Sequence, residues 1–409
     1  MRKLVVHRLT PAFREGVHAV PCSLPSTPSD TQLFVRVHFA GINASDVNAS
    51  AGRYTPGVQP PFDIGFEAVG EVTQAGTAAV QKGFRVGSHV AVLKLGCFAE
   101  MVLADVATNA RDAVYPIDRA LPGIVPMLIG GLTSSIGLEA VGEMRSGETV
   151  LVTGASGGTG LFAVQLAALA GCRVIGTCGS DDKMAVLREL GCERPIQYKT
   201  EDMEAVLRHE YPDGVDLVFE GVGGRMLEIC KRCLHPARGR LVSMGFSSQY
   251  GKKDGFESAD AALVKSKGMG PIRGFLLKDY PSLHAEHLGR LQSLVASGKL
   301  KSVYDPREFV GLDAIADAVE YLQAGRNVGK PVVRLCDLPT ETSTEAHAPM
   351  ASQRGSEPAG GEGPPVGSMA RVRELQSEAF AEDVALTEEM VQWTEARLER
   401  FFESGGISS

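Results

Sequence analysis

The chain has 409 residues, 44% hydrophobic, 6% aromatic and 22% charged, with a formal net charge of −8; that is more than one domain's worth of chain and too apolar for a wholly disordered one. The whole imbalance lies beyond residue 340, where thirteen acids face five arginines, so the preceding 36 basic and 36 acidic residues leave no basic footprint for nucleic acid or an anionic membrane surface. No apolar run reaches the roughly eighteen residues of a spanning helix, the N-terminal MRKLVVHRLTPAFREG is charged too early for a signal peptide, and eight scattered cysteines form no disulfide framework, which fits a reducing compartment.

In chain order, residues 1–125 carry short alternating apolar stretches, LFVRVHFAGI, FEAVGEVTQAG, RVGSHVAVL and GCFAEMVL, broken by Gly and Pro. This spacing predicts a compact β-rich barrel or sandwich. Residues 126–305 then alternate strand and helix: ETVLVTG, LFAVQLAALAG, CRVIGTC, DKMAVLRELG, PIQYKT, GVDLVFEGVGG, GRLVSMGFSS. Such alternation predicts βαβ units around a parallel sheet, an α/β fold. Within 306–338, a helix over 314–322 and a strand over 330–335 are predicted to return to the first domain. Residues 339–369 are rich in Gly, Pro, Ser and Glu and predict a disordered linker. In 370–409, Thr387 is placed to cap an amphipathic helix bearing Val391, Leu398 and Phe402 at helical spacing. A helix that docks a protein partner and an acidic tail that folds back both fit that segment.

The strongest local signal is Thr153-Gly154-Ala155-Ser156-Gly157-Gly158-Thr159-Gly160, between a β-branched strand and a helix. Gly154, Gly157 and Gly160 recur every third residue, a variant of the dinucleotide fingerprint. They supply a tight turn, close backbone approach to a pyrophosphate and helix–strand contact without Cβ atoms in the way. The helix N-terminus adds free N–H groups and a positive dipole end. The next strand, 174–178, ends in Cys178-Gly179-Ser180-Asp181-Asp182-Lys183, with no acid where an NAD site binds the ribose hydroxyls. Ser180 and Lys183, with Tyr198 nearby, suit a 2′-phosphate, so NADPH is the predicted cofactor. Cys230 and Cys233, with His235, are the only close cysteine pair and read as ordinary cysteines of a helix, so no metal is predicted.

Several strings carry a family resemblance: GINASDVNASAGRYTPGVQPPFDIGFEAVGEV, LVTGASGGTGLFAVQLA, VIGTCGSDDK, QYKT, MGFSSQY and AGRNVGK. Over about residues 1–336 the chain resembles the medium-chain dehydrogenase/reductase superfamily. The resemblance implies a GroES-like β-rich domain (1–125), a Rossmann dinucleotide-binding domain (126–305) and a short return (306–338). It implies cofactor contacts at Thr159, Gly179, Ser180, Lys183, Tyr198, Gly221, Met244 and Asn327. Zinc-containing members carry a cysteine near Asn43, a histidine where Phe66 stands and a four-cysteine lobe in which this chain has only Cys97; those ligands are missing.

A zinc-free reductase needs another way to neutralise an enolate. Tyr250 follows a parallel strand at its carboxyl end, where ligands of such sheets bind, and the chain is similar to prostaglandin- and leukotriene-type enone reductases at that tyrosine. Tyr250 is therefore the expected enolate stabiliser. Asn43 is expected to polarise a carbonyl, Tyr54 to line the substrate mouth and Asp46 to fix a local turn. The implied activity is NADPH-dependent reduction of α,β-unsaturated ketones of lipid type, 15-oxo-prostaglandins at the 13,14 bond among them. Quinone reduction, and a cofactor-binding scaffold whose tail recruits a partner, are the alternatives. Relatives imply a homodimer through an edge strand near 272–276. The C-terminal Gly-Ile-Ser-Ser is not a peroxisomal tripeptide, and cytoplasm is the expected compartment.

Overall fold

The structure, a computed structural model, describes residues 1–55, 57–107, 112–252, 259–266 and 270–336. The linker and amphipathic helix read from residues 339–409 lie outside the described residues. The alternating stretches of the N-terminal part become β1 (Arg2–Val6), β2 (Val17–Pro21), β3 (Gln32–Gly41), β4 (Phe62–Asp63), β5 (Glu67–Ala75), β6 (His89–Leu93), β7 (Met101–Asp105) and β8 (Ala113–Ile117). β1 pairs antiparallel with β2 and β4 in a small sheet. β3 carries β5 along one edge and β7 on the other, and β6 and β8 extend the sheet beyond β5. Apart from Arg36, the interior of β3 is buried on both faces. Leu33, Val35 and Val37 enter the core of the β-rich domain, while Phe39 reaches a second core shared with the rest of the chain.

The strand–helix alternation folds as β9 (Thr149–Val152), β10 (Arg173–Cys178), β11 (Arg194–Gln197), β12 (Leu217–Glu220), β13 (Arg240–Ser243) and β14 (Ile272–Gly274). All pair in parallel, in the spatial order β11-β10-β9-β12-β13-β14, which is the order 3-2-1-4-5-6 of a dinucleotide-binding fold. The order reverses between β9 and β12, and the crevice beyond their carboxyl ends is where such sheets take ligands. β14 is an edge strand, at the position expected for residues 272–276. On one face of the sheet, Leu151, Ile175, Val218 and Leu241 pack against Met203, Leu207, Leu227, Cys230 and Cys233.

The other face packs on the helical stretch Pro122–Val141 and the helix Pro281–Ala296. The stretch spans 20 residues and is long and apolar enough to cross a membrane, which corrects the reading that no apolar run has that length. It belongs to the protein interior instead: Leu128, Leu132 and Ile136 are fully buried, and Ser134 hides its hydroxyl by donating to the carbonyls of Gly130 and Thr159 at 3.0 and 2.8 Å. The one core cluster containing Leu132, Phe162 and Leu291 also contains Phe39, Val69 and Ala91 of the β-rich domain.

After the parallel sheet the chain does return. β15 (Phe309–Val310) leads to the helix Ile315–Gln323 and to β16 (Val332–Arg334), which pairs antiparallel with β3, Val332 opposite Gly41. β7 and β16 thus share one edge of β3, completing a seven-stranded sheet.

Candidate active site

The turn after β9 is shaped by glycine where the backbone demands it. Gly154 has φ +57°, and a Cβ on Gly160 would lie 2.4 Å from the Gly154 carbonyl oxygen, closer than real atoms approach. The loop is tied to β10 by N–H donation from Gly154 to the Thr177 hydroxyl (3.1 Å) and from Ala155 to the Thr177 carbonyl (2.9 Å). A Cβ on Gly157 would meet only the Gly154 carbonyl oxygen, at a van der Waals distance of 3.4 Å. Among the described residues nothing accepts the N–H group of Thr159, while Gly158 faces the Gly329 carbonyl across the bridge between Gly157 and Gly329. A free N–H on Thr159 beside an uncrowded glycine turn, at the start of the helix Gly160–Leu169, suits a pyrophosphate.

The end of β10 is closed against an acid. A Cβ on Gly179 would stand 2.8 Å from the Tyr198 hydroxyl and 3.4 Å from Cε of Lys199, so the space an NAD-binding carboxylate would use holds a phenol. Ser180 starts the helix Asp181–Glu189 without spending its hydroxyl on a cap. Lys183 lies one turn on, its ammonium donating to the Gly325 carbonyl at 2.6 Å. Burial, reinforced by Lys199, lowers its pKa. These groups and the half-exposed Tyr198 fit a 2′-phosphate. Lys199, close in space, went unnoticed in the sequence because its neighbour Tyr198 drew the reading.

Gly221 and Met244 sit together at the ends of β12 and β13: a Cβ on Gly221 would lie 2.7 Å from the methionine methyl. Asn327 is buried, its amide donating to the Gly329 carbonyl at 2.7 Å, and Gly329 in turn donates N–H to the Ser156 carbonyl at 2.9 Å. The returning segment therefore touches the phosphate loop directly.

Next to that contact lies a buried charge network the sequence reading did not anticipate. Lys330, 3% exposed, forms an ion pair with Glu67, 0% exposed, and donates to the Asn43 side-chain oxygen at 2.6 Å. Asn43 donates its amide to Glu67 (2.9 Å) and to the Gly41 carbonyl (3.4 Å). The second Glu67 oxygen accepts the Ile129 N–H at 2.8 Å. Both amide hydrogens of Asn43 are thus committed, so the expectation that it polarises a substrate carbonyl gives way: it is a strut between Lys330 and Glu67. Asp46 accepts the Asn43 N–H at 2.7 Å in a capping box of the helix Ala44–Ser50, the turn-fixing role expected of it. Its other oxygen is buried without a partner. Burial pushes its pKa up to about 8, against the Asn43 N–H and Lys330 and with help from Glu67. The cluster therefore holds Asp46 protonated at neutral pH beside the Glu67–Lys330 pair.

Tyr54 lies near enough to Tyr250 to bear on it electrostatically. A Cβ on Gly245 would lie 3.2 Å from the Tyr250 hydroxyl and 3.4 Å from the Gly221 carbonyl, which puts the phenol at the carboxyl ends of β12 and β13. Its oxygen accepts the Phe246 N–H at 3.4 Å, and no described residue accepts its proton. Burial raises its pKa to about 12, with Tyr54 and Glu220 adding to the shift; it stays a donor at neutral pH. Tyr54 packs on Phe66 with ring centroids 4.9 Å apart, and the Lys278 ammonium lies 5.6 Å over its ring. Burial, with Asp279 and Asp46 nearby, raises its pKa too.

Two domain models match: "Alcohol dehydrogenase GroES-like domain" over residues 29–136 and "Zinc-binding dehydrogenase" over residues 158–286. Prostaglandin reductase-3 of Mus musculus is 44% identical over 345 residues, 82% of this chain and 89% of the relative. A probable quinone oxidoreductase of Leishmania amazonensis is 36% identical over 82% of this chain and 98% of its own length. Among solved structures, Escherichia coli quinone oxidoreductase complexed with NADPH superposes with a TM-score of 0.68 at 26% identity, covering 82% of this chain and all of that one. The chain belongs to the medium-chain dehydrogenase/reductase superfamily.

The zinc in one domain's name finds no seat here. Phe66 is packed against Tyr54 and Asn43 is spent on Glu67 and Lys330. Cys97 is buried, with its thiol pushed up to about 12 by burial, which disfavours the thiolate that zinc needs. Among the described residues no three of His, Cys, Asp or Glu converge as ligands.

Proposed function

We propose that this chain is an NADPH-dependent double-bond reductase of α,β-unsaturated ketones, with 15-oxo-prostaglandins, reduced at the 13,14 bond, as its substrate class. The cofactor, when bound, supplies a hydride to the β-carbon and leaves as NADP⁺, while the α-carbon takes a proton from solvent and the double bond becomes single. The loop N–H group of Thr159 orients the pyrophosphate, and Ser180, Lys183 and Tyr198 select the 2′-phosphate. The observation that carries the reading is Tyr250: a buried phenol at the carboxyl ends of β12 and β13, kept protonated, with its hydrogen free to donate to a developing enolate oxygen. Tyr54 and Phe66 supply an aromatic wall for an apolar acyl chain. The names of the relatives support both enones and quinones as substrates.

The test follows NADPH absorbance with a 15-oxo-prostaglandin, a quinone and a simple aliphatic enone, with and without Tyr250→Phe. Turnover of the enones, slowed about tenfold or more (about 1.4 kcal/mol of barrier) by the substitution, is the expected result. Turnover of quinones alone, indifferent to Tyr250, replaces this reading with a quinone reductase. Pairing of β14 edges in a homodimer, a cytoplasmic location and recruitment of a partner by the acidic tail complete the proposal. A cross-linking and pull-down comparison of the full chain with a form ending at residue 338 tests the partner.

A further inference from the structure

Arg53 belongs to the β-rich domain but spends its side chain on the nucleotide domain. Its backbone is fixed where the helix Ala44–Ser50 ends: Gly52 takes φ +72°, and the Arg53 N–H donates to the Asn48 carbonyl at 3.0 Å. From there one guanidinium nitrogen donates to the Tyr250 carbonyl at 3.0 Å and another to the Lys252 carbonyl at 2.5 Å. The other end of that segment is held by its own domain, through N–H donation from Ser247 and Ser248 to the carbonyls of Gly221 and Val222, both at 3.0 Å. Tyr250 thus hangs between two anchors, one on each domain, and the residue following Arg53 is Tyr54, which bears electrostatically on Tyr250. A planar guanidinium with parallel donors suits two carbonyls in one loop better than an ammonium does.

We propose that Arg53 is a positioning residue for Tyr250: its two hydrogen bonds set where the phenol stands when substrate is bound, so that the β-rich domain dictates the placement of a donor carried by the other domain. This rests on the reading of Tyr250 as the enolate donor, and a double-mutant cycle separates the two. Enone turnover and NADPH affinity are measured for Arg53→Met, Tyr250→Phe and the double variant, with a melting curve for each. Arg53→Met is expected to lower kcat about tenfold, the order of losing charged hydrogen bonds, with the NADPH Kd within about twofold of the parent. In the Tyr250→Phe background the same substitution should cost almost nothing more, because interacting residues fail to add. Arg53→Lys, which keeps the charge and one donor, should fall between, and it serves in place of Arg53→Met should that variant not fold. Losses that multiply overturn the proposal. So does a raised KM for a 15-oxo-prostaglandin with its methyl ester unaffected, which would make Arg53 a direct carboxylate contact. If Tyr250→Phe alone leaves enone turnover unchanged, the reading of Tyr250 fails first, before Arg53 is in question.

Discussion

Lys183 and Asp46 show how differently two ionisable residues can be read. The Lys183 site was legible because its parts lie within a few residues: Gly179, Ser180 and Lys183 follow one strand end, and the missing acid is visible in the string itself. Lys183→Ala should weaken NADPH binding by about 2 kcal/mol, roughly 30-fold, through loss of a charge-assisted contact, and leave NADH binding nearly unchanged; fluorescence titration with both nucleotides checks it. Asp46 was legible as a turn residue, but its protonation was not, because that depends first on its complete burial, which only the folded chain creates. Its pKa rises from 3.8 unfolded to about 8 folded, so its contribution to stability is whole below the lower value and is lost as pH rises toward the upper one. Asp46→Asn keeps the acceptor for the Asn43 N–H and should flatten the decline in melting temperature between about pH 4 and 8. An unchanged slope would place the titration elsewhere. Arg53 and the Lys330 end of the Asn43 strut escaped the sequence because local spacing carries no record of partners more than a hundred residues away.

Elements were read better than their surroundings. The β-rich strands, the βαβ alternation and the return are visible as periodicity, and the glycine loop as spacing. The helical stretch Pro122–Val141 was underestimated, since Ser134 and Ser135 look polar in the string but are buried with their hydroxyls bonded inside the protein. Across its interface with the helix Pro281–Ala296, the Ser135 hydroxyl lies 2.8 Å from His287 Nδ1, and Arg290 donates to Ser135 at 2.6 Å and pairs with Glu139. Burial, with Arg290 and His284 adding to it, lowers the His287 pKa from 6.5 to about 3. A depressed folded pKa means that stability is whole above the unfolded value and drains away as pH falls toward the folded one. The helix pair should loosen on acidification from about pH 6.5 to 3, and His287→Asn should blunt that loss; circular dichroism melts across the range measure it. In the phosphate loop, Gly160→Ala drives a Cβ into the Gly154 carbonyl, backbone against backbone. We expect a loss of NADPH affinity of tenfold or more, about 1.4 kcal/mol, read by the same titration.

At the scale of the whole molecule, the two domains are one body fastened at a buried point. Glu67 joins β5 to Lys330 on the return and to the Ile129 N–H at the start of the helix Ile129–Ile136, while Gly329 bonds to the phosphate loop. Lys330→Met leaves Glu67 buried without its counter-charge and should destabilise the protein by about 3–5 kcal/mol. Adding Glu67→Gln should recover part of that loss, because removing both members of a buried pair is milder than removing one. Chemical denaturation of the single and double variants decides it. The domain order and the parallel sheet were readable because they rest on local patterns. The fastening was not, because a lysine in GKPVVR and a glutamate in GFEAVG look like surface residues until the chain brings them together.

The seating of β16 against β3 also sets a timetable for synthesis. β3 is among the first strands to leave the ribosome, yet the partner for its Phe39–Gly41 end arrives only with residues 332–334. The parallel sheet between them closes from neighbouring units and can assemble while translation continues. The β-rich domain must wait with that part of its edge open, a stage at which exposed strands invite pairing with other chains. A nascent chain stalled shortly after residue 300 should therefore already protect the nucleotide domain from protease while leaving the first domain open to cleavage. Release of the last strand should then protect the first domain as well.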